Sequence, residues 1–236
     1  MKIALLNRLL QDREAKRPVA LATLLESGAQ ALVYPDDADG ALAGNAEIVA
    51  AARVALARDN SGVVTVAGAE LFVQVFNPAL RFVIVGAVHI AQPLARMASL
   101  AGYDVTVVDP RGSFATEDRF PGVTLMGGWP DEAMNELRPD RRTAVVTLTH
   151  DPKLDDPALS VALRSEAFYI GALGSRRTHA ARLDRLREEG FGDTEMGRIH
   201  GPVGISIGAV SPAEIAVAIM AQVTDVLREK PKKEAA

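Results

Sequence analysis

The chain has 236 residues, of which 48% are hydrophobic and 24% charged, and its formal net charge is −4. That is ample apolar material for a core, and enough length for one large domain or a small and a medium one. The acidic balance argues against a nucleic-acid or anionic-membrane surface, which needs clustered Lys and Arg, and the lack of any cysteine excludes disulfides, thiolate metal sites and cysteine nucleophiles.

At the N-terminus Leu5, Leu6, Leu9 and Leu10 recur at helical spacing, which predicts an amphipathic helix over Ala4–Ala15 rather than a signal peptide. No run approaches the roughly 18 apolar residues of a membrane span, so a soluble, cytoplasmic protein is expected. Pro18 opens a strand over Val19–Leu25, and Ser27-Gly28 turns the chain into a second strand over Ala29–Tyr34. Pro35–Gly40 reads as an acidic loop. Glu47–Arg58 reads as a helix with Ile48, Ala51, Ala52 and Ala55 on one face. Val63–Val66 and Leu71–Phe76 form a hairpin through Gly68. Residues 1–78 are thus expected to form a small α+β domain.

After Asn77-Pro78 the texture changes. β-rich runs at Arg81–Val85, Asp104–Val108, Val123–Met126, Thr143–Leu148 and Ala167–Ile170 alternate with helical stretches at Ile90–Ala101, Asp131–Leu137, Pro157–Ser165 and Arg176–Glu189. The strands are near-continuous apolar runs, as in a parallel sheet covered on both faces. Ser211-Pro212-Ala213-Glu214 is a capping box that opens a last helix with Ile215, Ile219, Val223 and Val226 as its buried stripe. The fold class is therefore α/β: a Rossmann-type doubly wound parallel sheet over 79–228 behind the small N-terminal domain. A frayed polar tail is expected over 229–236.

Four segments could carry chemistry. Gly86-Ala87-Val88-His89-Ile90-Ala91 follows the first strand of the second half and resembles a dinucleotide turn. The first and third fingerprint positions are Gly86 and Ala91, but Val88 stands where glycine lets a pyrophosphate approach. Asp109 lies 23 residues beyond Gly86, where a ribose-binding acid belongs. Thr149-His150-Asp151 leaves the carboxyl end of the fourth strand. It could bind an anion, orient a proton or ligate a metal, or serve as a polar loop capping the next helix, with Asp155 and Asp156 ahead of Pro157. Gly174-Ser175-Arg176-Arg177 combines a glycine, a Ser cap and two arginines at a helix start. It is the best anion site in the chain, unless both arginines are only solvated surface charges. Arg198–Ile205, rich in Gly and Pro, is either a cleft wall or a structural connection. The histidines at 89, 150, 179 and 200 show no metal-binding spacing. There is no Walker loop, no nucleophile elbow and no Tyr-Lys pair of the short-chain dehydrogenase type. NAD and NADP are expected to bind poorly, and no catalytic or metal-ligating residue is expected.

As an ordered set, several segments resemble the XdhC/CoxI family, accessory proteins of molybdenum hydroxylases such as xanthine dehydrogenase. They are Leu71–Phe76, Val83–Ala95, Val107–Arg111, Phe114–Thr116, Arg119–Pro121, Leu148–Asp151, Tyr169–His179 and Arg198–Gly204. The resemblance implies a chaperone rather than a turnover enzyme. It would bind the molybdenum cofactor (molybdopterin) as cargo, protect it, and deliver it to a hydroxylase apo-enzyme. It also implies a homodimer and contact with a cysteine desulfurase. The binding residues it implies are Gly86, His89, Asp109, Arg111, His150, Asp151, Gly174, Ser175, Arg176 and Arg177. Two departures stand out. The family's turn usually reads Gly-Ala-Gly-His, and here Val88 replaces the second glycine. The family's N-terminal domain usually carries a cysteine before a glutamate, and here Ala46 precedes Glu47. Without a thiol this chain cannot relay sulfur as a persulfide. The rival readings are an NAD(P)-dependent oxidoreductase and a scaffold that docks a hydroxylase or sulfur donor without binding a cofactor.

Overall fold

The structure, a computed structural model, describes residues 3–228; the tail expected over 229–236 lies outside them. The chain divides into two compact units at Pro78–Ala79.

The first unit is an antiparallel sheet with a helix on each face. It contains α1 (Ile3–Glu14), β1 (Val19–Leu24), β2 (Gln30–Val33), β3 (Ala38–Gly40), α2 (Ala46–Ala57), β4 (Gly62–Val66) and β5 (Ala69–Phe76). The strand order is β3-β2-β1-β5-β4. Strand alternation divides the core. Val19 and Leu21 pack with Leu9 of α1, and Ala20 and Ala22 pack with Ile48, Val49 and Ala52 of α2. Small alanines on the second face let α2 lie close to the sheet. Tyr34 donates to Asp12 at 2.6 Å, tying β2 to α1. The loop expected over Pro35–Gly40 instead ends in a strand, with Val33 opposite Ala38 and Ala31 opposite Gly40. Pairing satisfies backbone groups on the outer edge of β2 that a loop would have left to solvent.

The second unit contains β6 (Arg81–Val85), α3 (Ala91–Leu100), β7 (Asp104–Val108), β8 (Thr124–Met126), α4 (Pro130–Leu137), β9 (Thr143–Thr147), α5 (Pro152–Leu163), β10 (Tyr169–Ala172), α6 (Arg176–Glu188), α7 (Asp193–Met196), β11 (Ile199–His200) and α8 (Pro212–Arg228). Its six strands run parallel in the order β11-β10-β9-β6-β7-β8. Phe82, Ile84, Ala144 and Val146 point to the face covered by α3 and α8. Val83, Val85 and Val145 point to the face covered by α4, α5 and α6. This is the doubly wound Rossmann arrangement. The chain reverses direction across the sheet between β6 and β9, which opens a crevice at their carboxyl ends.

Four elements of this unit depart from the sequence pattern: α7 was not expected, β10 runs over Tyr169–Ala172 rather than Ala167–Ile170, and α5 and β11 differ as well. Helix α5 begins at Pro152, not Pro157. Asp151 caps it through the Lys153 N–H at 3.0 Å, and Pro152 occupies the first turn, where its missing N–H costs nothing. Asp155 and Asp156 therefore lie inside the helix, buried, rather than ahead of it. The Gly/Pro-rich segment after Arg198 contributes the edge strand β11, which pairs Ile199 with Ile170 and His200 with Gly171. The last helix matches its signposts: Glu214 accepts the Ser211 N–H at 2.8 Å, and Ile219 and Val223 are fully buried.

Candidate functional site

Three connections leave the carboxyl edge of the parallel sheet near its switch point. The β6–α3 turn is set by Gly86, whose φ of +106° lies outside the range that side chains tolerate. A Cβ there would also run into the Thr149 methyl of the β9–α5 loop. Glycine thus lets the two walls of the crevice touch. Val88 is half-buried and packs against the hydrophobic cluster that includes the apolar face of α3. Helix α3 has no side-chain cap. Among the described residues no backbone acceptor faces the N–H groups of Val88, His89 or Ile90. His89 is exposed beside them.

Asp109 ends β7 and is fully buried. Its two oxygens accept from the Ala87 N–H at 2.7 Å, the Arg111 N–H at 2.9 Å, and Arg111 Nε and Nη2 at 2.9 and 2.7 Å. Burial alone would push its carboxyl up. The hydrogen bonds from Arg111 and Ala87 outweigh that and hold it below the usual carboxylate range. The guanidinium of Arg111 is thereby fixed at the crevice mouth with 41% of its side chain exposed, and it lies 4.6 Å from the ring centroid of Phe114. Asp151 and Asp155 across the crevice lie within reach of its field.

The β9–α5 loop is built around Asp155. One oxygen accepts the Thr149 N–H and hydroxyl at 3.2 and 2.7 Å, and the other accepts the His150 N–H at 3.1 Å. His150 itself takes φ +63°, which its two-sided backbone anchoring makes tolerable. Its ring and the Asp151 carboxylate are exposed. One strand over, Gly174 takes φ +145°, and the Ser175 hydroxyl caps α6 by accepting the Thr178 N–H at 3.1 Å. The N–H groups of Gly174, Ser175, Arg176 and Arg177 have no acceptor among the described residues. Arg176 and Arg177 are exposed and likewise lack a protein partner among them. Free N–H groups, the positive end of a helix and two guanidinium groups together suit an anion.

The sites therefore divide. Gly86, His89, Asp109, Arg111, His150 and Asp151 gather around the β6/β9 crevice, and Gly174–Arg177 sit at the neighbouring strand end. His200 stacks on Tyr169 at 4.7 Å, and burial holds both it and His179 below the usual histidine range. Those two are neutral packing groups. Among the described residues no three acidic or histidine side chains converge so as to hold a metal ion, and no helix is long and apolar enough to cross a membrane. Arg182 was not singled out in the sequence, Asp155 was read only as a polar residue ahead of Pro157, and Phe114 only as part of a family-like segment. Only the spacing of Asp155 from the Asp151 cap could have signalled its role.

The profile of the XdhC Rossmann domain matches residues 82–223. The chain belongs to the XdhC family. Among curated relatives, this XdhC chain is 34% identical over 151 residues to the molybdenum cofactor insertion chaperone PaoD of Escherichia coli, covering 64% of this chain and 41% of that protein. It is 32% identical over 155 residues to a probable xanthine dehydrogenase subunit of Bacillus subtilis, covering 65% and 45%. It is 31% identical over 167 residues to YqeB, an uncharacterised Escherichia coli protein, covering 69% and 30%. The chain thus spans less than half the length of these relatives. A xanthine dehydrogenase structure from Bacillus halodurans shares the fold, with a TM-score of 0.69 at 23% identity, over 98% of this chain and 66% of that one.

The engaged Asp109 bears on dinucleotides. A ribose-binding acid needs free acceptor lone pairs, and here both oxygens are already used and buried. Calorimetric titration with NAD or NADP should show no low-micromolar binding. A tight isotherm for either would mean that the Asp109–Arg111 pair opens for a ribose.

Proposed function

We propose that this XdhC-family chain binds the molybdenum cofactor as cargo, protects it, and passes it to a molybdenum hydroxylase apo-enzyme. The carrying observation is the single sheet edge at which two helix starts, their first backbone N–H groups unpaired among the described residues, stand with Arg111, Arg176 and Arg177. That donor set fits a phosphate-bearing ligand. The pterin is chosen by family membership and by the relative named as a molybdenum cofactor insertion chaperone. In this reading Gly174, Ser175, Arg176, Arg177 and the Gly86 turn hold the phosphate. His89, Asp109, Arg111, His150 and Asp151 line the crevice, with Asp109 acting only through Arg111. Residues 79–228 form the cofactor-binding domain, and the protein works in the cytoplasm as a homodimer. With no thiol of its own, it would hold the cofactor while a cysteine desulfurase supplies sulfur to the metal directly.

The test is to purify the protein from a cofactor-producing cell and look for bound pterin by absorbance and mass spectrometry. Arg176→Ala combined with Arg177→Ala should weaken cofactor binding at least tenfold, each lost charge-assisted contact contributing roughly 1.5–3 kcal/mol. Unchanged affinity would move the phosphate elsewhere. A protein that purifies empty yet still captures the apo-hydroxylase would replace cargo binding with docking alone.

A further inference from the structure

Arg182 and Asp155 lie beneath the site, and no exposed group of the site includes them. Arg182 is 2% exposed and Asp155 is 1% exposed. Arg182 Nη2 stands 3.6 Å from Asp155 Oδ2 and donates to the Leu173 carbonyl at 2.9 Å. Leu173 directly precedes Gly174, the start of the anion-suited segment. Asp155 accepts both backbone N–H groups at Thr149 and His150. The two side chains together thus reach both loops, through backbone atoms in each case. Among the described residues Arg182 Nε and Nη1 are buried with no hydrogen-bond partner, as is Thr147 Oγ1 at the end of β9.

This is a poor arrangement for stability. A buried ion pair contributes little unless its geometry is good and its remaining donors are satisfied, and apolar replacement of such pairs is often neutral or stabilising. Here the contact is long and two guanidinium nitrogens are orphaned. What the pair does have is reach: residues 27 positions apart in the chain clamp the β9–α5 loop to the β10–α6 loop. Thr149 in turn abuts Gly86, so the third connection rests on the same support.

We infer that Asp155 and Arg182 are positioning residues, a buried brace that sets the β9–α5 and β10–α6 loops relative to each other so that their exposed groups address one anionic ligand. This rests on the cargo reading above for the identity of that ligand, and on the hydrogen bonds alone for the brace.

The experiment compares the 236-residue chain with Arg182→Met and with the paired variant Asp155→Asn/Arg182→Met, which leaves no lone buried charge. Three quantities are read: thermal midpoint, amide hydrogen exchange, and affinity for molybdenum cofactor released from a donor enzyme. The brace predicts that the midpoint falls less in the paired variant than in Arg182→Met, where Asp155 is left as a lone buried charge. It predicts faster exchange at Thr149 and His150 in Arg182→Met, which touches neither, and at Leu173–Ser175. Cofactor affinity should fall about tenfold in both variants. Unchanged exchange at Thr149 and His150 in Arg182→Met would overturn the inference. So would a rise in the paired variant that is equal across β6 and β9, since that is loss of fold and not of loop position. If wild type itself binds no cofactor, the cargo reading falls, while the exchange measurements still decide the brace.

Discussion

Gly86→Ala should lower stability by about 3 kcal/mol or more, with contributions of roughly 1–3 kcal/mol each from backbone strain and from overpacking. The strain arises because φ is +106° there, a region that only glycine occupies freely. The overpacking arises because the new methyl meets the Thr149 side chain. Threonine has one methyl and one hydroxyl on the same carbon, and this hydroxyl is held by Asp155 at 2.7 Å, so it cannot simply rotate away. For a protein of this size the midpoint in thermal denaturation should drop by roughly 6–12 °C. Cofactor binding should fall further than the loss of folded protein accounts for, because the methyl pushes two walls of the crevice apart. A variant with wild-type midpoint and affinity would show that the β6–α3 turn relaxes freely and does not fix the site.

Asp109→Ala should cost about 2–4 kcal/mol, most of it from leaving the buried Ala87 N–H without an acceptor and from losing charge-assisted bonds. The cost stays below that of breaking a fully buried pair because Arg111 keeps 41% of its side chain in solvent and can rehydrate. Asp109→Asn is milder for the fold but equally informative for the site. An amide cannot accept from two guanidinium nitrogens and two backbone N–H groups at once, so Arg111 loses its fixed position and cofactor affinity should drop. The pH dependence follows from the depressed native carboxyl. A group whose folded value lies below its unfolded value binds fewer protons in the native state around pH 4, so its contribution is fully present above the usual carboxylate range. That contribution is lost as pH falls through the lower folded value. Acid denaturation of Asp109→Asn should therefore be shallower below about pH 4 than that of wild type. Parallel acid curves for the two proteins would mean that Asp109 is not the buried acceptor described.

The strands of the second half were legible because each is a short, nearly continuous apolar run alternating with a helical stretch, as expected of a parallel sheet covered on both faces. The last helix was legible because Ser211 and Glu214 cap it within one turn and its stripe repeats at helical spacing. These are local signals, written in residues at most a few positions apart. The strand β11 escaped because two residues, Ile199 and His200, carry no period, and their pairing with Ile170 and Gly171 is a long-range fact. The start of α5 was misplaced because Pro152 and Pro157 both look like first-turn prolines, and only the Asp151 cap chooses between them.

By itself, then, the sequence determined the fold class, the carboxyl-edge position of the candidate residues and the family. Hydrophobic period, turn residues and ordered motifs all survive in one dimension. The tertiary structure alone decided which partners the candidate residues take. It spends Asp109 on Ala87 and Arg111 rather than leaving it for a ribose, rests Val88 partly against the core, and joins Asp155 to Arg182. Each of these depends on where a hydrogen bond or a methyl group points after strands far apart in sequence have been laid side by side, and chain spacing does not encode that direction.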